Sequence, residues 1–270
     1  MTKDNDNPLL DNFGLPQFDQ IDSKHVKPAV KAMLRKARNL FAQLENNHQA
    51  TWEALIAPLN EIEALVHHIW SPVSHLTSVL NSKELREVHQ SAQGEVISFS
   101  LELSQSKKIY EGLKKLKASK GWEKLDLGQQ RAVEDRILSA ELSGIALTGK
   151  QQERFNEIVK ELSELGVTFS NHVLDDTKEY RLIIEDKKST DGLSKEFLQR
   201  AHEAYVAQEK PKDPQGAALG PWLVSLDMTS YIPFMENCKN KNLREELYRA
   251  FIRRASSGKH NNEENITKIL

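Results

Sequence analysis

A histidine followed at once by a glutamate, in LQRAHEAYVAQ at residues 198–208, is half of the HExxH pattern. In that pattern two imidazoles one helical turn apart share a zinc ion, and the glutamate between them activates the metal-bound water. Here His202 and Glu203 are present, but the second ligand position is Val206, which has no donor atom. Phe197, Leu198, Ala201, Ala204 and Tyr205 recur at helical spacing, so His202 is expected to border a buried stripe rather than face a reacting water.

The densest group of possible ligands is HHIWSPVSH, with His67, His68 and His75. Ser71-Pro72 reads as an N-cap and first helical residue, which would put His68 and His75 on opposite sides of a break. Without an ordered spacing such as i, i+4 they are expected to be partly buried or capping histidines rather than a zinc site. The histidines at 25, 48, 89, 172 and 260 are scattered. There is no GxSxG, and Cys238 in ENCKNKN has no neighbouring base in sequence, so a free thiol is expected. The lysines of KKIYEGLKKLKASKGWEK read as a solvated helix face, and no glycine-rich phosphate loop exists. The residues by themselves therefore assign no catalytic and no metal-ligating position, and they leave substrate-binding residues unknown.

These residues must be carried by a largely helical framework. In 270 residues, 37 basic and 39 acidic side chains nearly cancel to a formal charge of −2 and are interspersed along the chain. That balance argues against nucleic acid and anionic membranes as partners. One cysteine excludes an internal disulfide framework and suits a reducing compartment, the cytoplasm. The opening MTKDNDNPLLDNFGLPQFDQ lacks the apolar run of a secretory signal, and no stretch reaches the ~18 consecutive apolar residues of a membrane span.

After about twenty irregular residues, apolar side chains from Val26 to Leu44 recur at steps of three and four, with Pro28 expected near the first turn of that helix. A second helix starts near Thr51 and carries Leu55, Leu59, Ile62 and Ile69, with Pro58 predicting a kink or a late start. A third runs from Ser82 to about Leu103, and a fourth from Gln129 to Leu142 that Gly144 would end as a C-cap. Thr148 and Gln151 read as a capping box opening a long helix. Its residues Phe155, Ile158, Leu162, Leu165, Phe169 and Val173 form the narrow seam of coiled-coil-like packing. Beyond Asp176 the runs EYRLIIED and PWLVSLD predict a two-stranded ribbon at about 180–185 and 222–227, with the HEAYV helix between the strands. QEKPKDPQGAALGP, residues 208–221, is the expected flexible loop, and Asn242 with Glu245 would start another helix. NEENITKIL reads as a helix whose apolar stripe stops in mid-course, as expected of a truncated chain.

Four stretches together carry a resemblance: HVKPAV at 25–30, WSPVSHLTSVLNSKELRE at 70–87, ELSGIALTGKQQERFNEIVKELSELGVTFSNHVLD at 141–175, and WLVSLDMTSYIPFMENCKNKNLREELYRAFIRRAS at 222–256. In this order they resemble the N-terminal part of the thimet-oligopeptidase family of zinc metallopeptidases. The resemblance implies a mainly α protein, the multi-helix N-terminal lobe of a two-lobed peptidase with a small β ribbon. Residues 1–175 would form a helical channel wall and 176–270 the start of the catalytic half. It also implies zinc as the cofactor of the full-length enzyme, and short peptides, cleaved signal peptides among them, as substrates. The zinc-binding HExxH of such enzymes lies in a C-terminal part beyond position 270, so His202 and Glu203 inherit no role and this chain alone would be inactive. The alternative is a non-catalytic helical domain that binds peptides or proteins.

Overall fold

A computed structural model describes residues 7–11, 14–213 and 216–270. Among them are ten α-helices and one two-stranded antiparallel sheet, so the mainly α expectation with a small ribbon holds. The chain divides into two compact units, 1–161 and 162–270.

In the first unit, α1 (Ser23–Asn47) buries Val26, Ala29, Val30, Met33, Leu34, Ala37, Phe41 and Leu44, the stripe that its spacing predicts. It packs against α2 (Ala57–Val79) and α3 (Lys83–Ser104), and α4 (Lys107–Lys117) packs against α5 (Leu127–Leu142). Pro28 lies in the second turn of α1 rather than its first, where the ring deprives only the Lys24 carbonyl, near the helix start, of a partner. Thr51 accepts the Ala54 N–H at 3.2 Å and opens a short π-helical stretch, Trp52–Ile56, before α2 begins with Pro58 in its first turn. The late start predicted from Pro58 is therefore what the chain adopts.

Pro72 does not start a helix. It lies buried inside α2, between the buried Ile69 and Val73. The N-cap reading of Ser71 fails because the apolar residues on both sides of the proline belong to one continuous buried stripe, and burying them offsets the single lost backbone hydrogen bond.

Ser82 caps α3 through the Leu85 N–H at 3.2 Å. The end of α5 is a Schellman motif: Ile145 N–H donates to the Ala140 carbonyl at 3.1 Å and Gly144 N–H to the Glu141 carbonyl at 3.2 Å. Gly144 adopts φ +78°, the left-handed conformation that the motif requires.

The long helix α6 (Lys150–Glu179) contains the boundary between the units. Its first intrahelical bond runs from Glu153 N–H to the Gly149 carbonyl, so Gly149 rather than Thr148 occupies the cap position. Its expected seam is only partly covered: Phe155, Leu165 and Val173 are half-buried, whereas Ile158, Leu162 and Phe169 are 39, 40 and 36% exposed.

In the second unit, β1 (Leu182–Ile184) pairs with β2 (Trp222–Val224) in the register Leu182–Val224, Ile183–Leu223, Ile184–Trp222. The strands are shorter than the sequence suggests. Leu182 and Ile184 point inward and Ile183 outward, while all of β2 is buried because α7 (Lys195–Glu209) packs against it. Trp222, Phe197, Phe234 and Leu247 centre this core, the last two from α8 (Met228–Asn237) and α9 (Lys241–Ile252). Asn240 caps α9 by accepting the Asn242 and Leu243 N–H groups at 3.1 and 3.3 Å, two residues before the expected cap. The short α10 (Glu263–Ile269) follows. The predicted loop at 208–221 includes residues 214 and 215, and the opening twenty residues include 1–6 and 12–13, all outside the described residues.

Candidate functional site

His202 is 7% exposed in α7, and its Nδ1–H donates to the Pro221 carbonyl at 2.9 Å. The imidazole thus ties the helix to the segment entering β2, a packing role that the surrounding apolar spacing anticipates. Cys238 is also buried, with its thiol 3.6 Å from the Ser189 carbonyl, and burial pushes its pKa up. A thiol held protonated in this way is a poor nucleophile.

The continuity of α2 changes the geometry of the histidine cluster. His67, His68 and His75 all border one cleft of about 440 Å³, with Phe18 and Pro16 opposite. His68 Nε2–H donates to the Asp11 carbonyl at 2.9 Å, and the His75 ring lies 5.4 Å from that of Phe18. His68 and His75 remain two helical turns apart, roughly 10 Å along the axis, whereas two imidazoles on one zinc each stand at ~2 Å from it. They hold the N-terminal segment against α2 and are not a ligand pair.

Zinc requires three or more converging His, Cys, Asp or Glu donors, and the described residues bring no such group together. His172 and His260 approach to 5.9 Å between ring centres, but Glu179, the carboxylate beside His260, is already held by Lys259 at 2.5 Å. The described residues do not fit the metal.

A cleft of about 720 Å³ in the first unit is walled by α1, the C-terminal half of α3, the start of α4 and the first turns of α6. Side-chain amides line one wall. Gln105 Nε2 donates to the Ser143 carbonyl at 2.9 Å and to Asn156 Oδ1 at 2.7 Å, and Gln152 Nε2 donates to Gln105 Oε1 at 3.0 Å. Carboxylates in the cleft are engaged internally: Glu102 accepts both Nε and Nη2 of Arg38 at 3.1 and 3.0 Å, and Glu45 accepts the Ser106 hydroxyl at 2.5 Å. That hydroxyl in turn accepts the Ile109 N–H and caps α4.

This cleft is absent from the reading of the sequence by motif, since its groups come from four elements. The local signal is slight. Gln152, Asn156 and Lys160 stand at four-residue steps and form one polar stripe on a helix otherwise noted for its apolar seam.

Sequence comparison supplies what the local chemistry does not. Residues 30–152 match the family model described as Neurolysin/Thimet oligopeptidase, N-terminal domain. Over 264 residues, 98% of the chain, it is 41% identical to the Probable cytosolic oligopeptidase A of Arabidopsis thaliana, covering 37% of that protein. The same share of the chain is 40% identical to the Organellar oligopeptidase A, chloroplastic/mitochondrial, of that plant, covering 33% of it. Identity to the Oligopeptidase A of Haemophilus influenzae is 39% over 269 residues, again 98% of the chain and 38% of the relative. The chain thus spans about a third of the length of these relatives, 33 to 38%. It belongs to the thimet-oligopeptidase family, in which it corresponds to the N-terminal part of oligopeptidase A.

Proposed function

We propose that the protein to which these residues belong is a zinc metallo-oligopeptidase that hydrolyses short peptides, and that this chain is a non-catalytic part of it. The supporting observation is the 39–41% identity to proteins named oligopeptidase A over 98% of the chain. Residues 1–175 are proposed as a channel wall and 176–270 as the beginning of the catalytic half. Zinc, its HExxH ligands and the hydrolytic step are assigned to a C-terminal part, because the described residues assemble no metal-binding group. The substrates proposed are short peptides, cleaved signal peptides among them. The proposed compartment is the cytoplasm, supported by the single buried cysteine and by the relative named cytosolic. No described helix is long and apolar enough to cross a membrane.

The test joins the chain to the C-terminal part of the Haemophilus influenzae relative and follows cleavage of an internally quenched short peptide. Hydrolysis by the joined protein, abolished by a chelator and restored by zinc, is the expected result, with none from the chain alone. Chelator-sensitive hydrolysis by the isolated chain, or an inert fusion that is folded and binds zinc, overturns the assignment.

A further inference from the structure

The 720 Å³ cleft of the first unit has unspent binding capacity of a particular kind. Its five charged side chains are Arg38, Lys107, Lys160, Glu45 and Glu102, three cations against two carboxylates. Both carboxylates are satisfied from within, by Arg38 and by Ser106. Lys107 and Lys160 are exposed and make no ion pair or hydrogen bond among the described residues. Arg38 neutralises Glu102, whereas the Ser106 hydroxyl leaves the charge of Glu45 in place, so with Lys107 and Lys160 the cleft keeps a formal charge of +1 and its residual field is positive.

The amide wall adds a second requirement. Asn156 Oδ1 is taken by Gln105, which leaves the Asn156 Nδ2 donors open, and Gln152 spends a donor on Gln105 and keeps its Oε1 acceptor. These two residues are one helical turn apart on α6, so an open donor and an open acceptor stand side by side. A peptide bond offers the matching pair, one C=O and one N–H. Gln105 is held at both ends of its amide, to the Ser143 carbonyl and Asn156 on one side and to Gln152 on the other, and so locks the orientation of its neighbours before any ligand arrives.

We propose that this cleft binds a short acidic peptide, with Asn156 and Gln152 meeting its backbone and Lys107 and Lys160 its side-chain carboxylates. The site lies wholly within residues 1–161 and holds whether or not the whole protein hydrolyses peptides.

The probe is a fluorescein-labelled tetrapeptide of glutamates with both ends blocked, followed by anisotropy on the 270-residue chain. A tetrapeptide of lysines and free glutarate serve as comparisons. Binding of the acidic peptide, weakening with added salt, is expected, with little binding of the lysine peptide. The double variant Lys107→Glu, Lys160→Glu should weaken it by roughly tenfold or more. The equal charge change Lys115→Glu, Lys120→Glu, on exposed residues outside the cleft, should leave it within about twofold. Asn156→Asp keeps the oxygen that Gln105 uses, removes the open donor and adds a negative charge, so it should also weaken binding. Equal loss in both double variants, or competition by glutarate as strong as by the unlabelled peptide, overturns the proposal, as does the absence of binding to the unaltered chain.

Discussion

The imidazole of His89 stacks on the indole of Trp70, ring centres 4.6 Å apart and planes inclined by 17°. His89 is 7% exposed, its Nε2 lies 3.3 Å from the Ser74 hydroxyl, and burial pushes its pKa down. The unfolded chain, with an ordinary histidine pKa of about 6.5, therefore binds more protons than the folded one just below that pH. Where the unfolded state binds more protons, stability rises with pH. His89 should thus cost no stability above about pH 6.5 and should destabilise the fold progressively as pH falls below it. Urea midpoints at pH 7.5 and 5.5 should differ more in the native chain than in His89→Phe, which can stack on Trp70 and cannot titrate. Identical pH slopes would remove His89 from the account. Trp70 fluorescence gives a local readout of the same titration.

Two glycines should respond in opposite directions to alanine. At Gly144, with φ +78°, an added Cβ would stand 2.9 Å from Leu147 Cδ1, so Gly144→Ala should destabilise by about 1–2 kcal/mol. Gly94 lies inside α3 with nothing within 4 Å of the Cβ position, so Gly94→Ala should stabilise by roughly 0.5–1 kcal/mol. Denaturant unfolding of the two variants checks both signs, and a destabilised Gly94→Ala would contradict the α3 geometry.

Arg136 on α5 fixes that helix to α2 with a planar fork. Nη1 donates to Glu63 Oε1 at 2.6 Å, and Nη2 donates to Glu63 Oε2 and Asn60 Oδ1 at 2.7 Å each. The arginine side chain is 24% exposed and Glu63 is 46% exposed, so solvent screens the pair. Arg136→Lys keeps the charge and loses the bidentate geometry, and it should cost about 1 kcal/mol. A melting temperature unchanged at low salt would show that the fork contributes nothing beyond charge.

Asn262, 1% exposed, is the polar hub of the second unit. It accepts His172 Nδ1–H at 2.9 Å and Asn265 Nδ2 at 2.8 Å, and it donates to the Phe169 carbonyl at 3.1 Å. Asn262→Ala leaves these groups unpaired and should cost about 2 kcal/mol or more. The loss is local, so the sharper measurement is tryptic cleavage at Lys259. It should accelerate in the variant while cleavage within α1 stays slow.

The sequence is most legible where one helix buries one stripe against its neighbours. Every buried residue of α1 lies on the face that the three- and four-residue spacing marks. The ribbon is legible because β-branched and aromatic runs are short and flanked by breakers, although strand pairing ends at three residues each. Pro72 misleads because its local rule is overruled by packing on either side of it. The cap of α6 is displaced by one residue, onto Gly149 at φ +55°, a left-handed conformation that glycine adopts without strain. Candidate chemistry is read least well. Local patterns draw attention to His202 and the histidine cluster, whereas Gln105, Gln152 and Asn156 meet only through tertiary structure. The family is carried by long stretches of ordinary helical sequence, none of which is an active-site motif.

Helical period reports which residues share a face, and it does not report what covers that face. The seam of α6 makes the distinction measurable. Ile158, Leu162 and Phe169 sit at the spacing of a buried coiled-coil stripe, yet each keeps more than a third of its surface exposed. Phe99 of α3 is fully covered and meets Phe41 edge to face at 6.3 Å. If exposure governs, Leu162→Gln and Ile158→Gln in the 270-residue chain should each cost only about 1–2 kcal/mol, because more than a third of either residue stays in water. Phe99→Ala should cost roughly 3–5 kcal/mol. Parallel denaturant melts decide the matter. A loss of several kcal/mol at Leu162 would mean that the seam is packed in solution, and that its regular spacing is a better guide to burial than the exposed helix face.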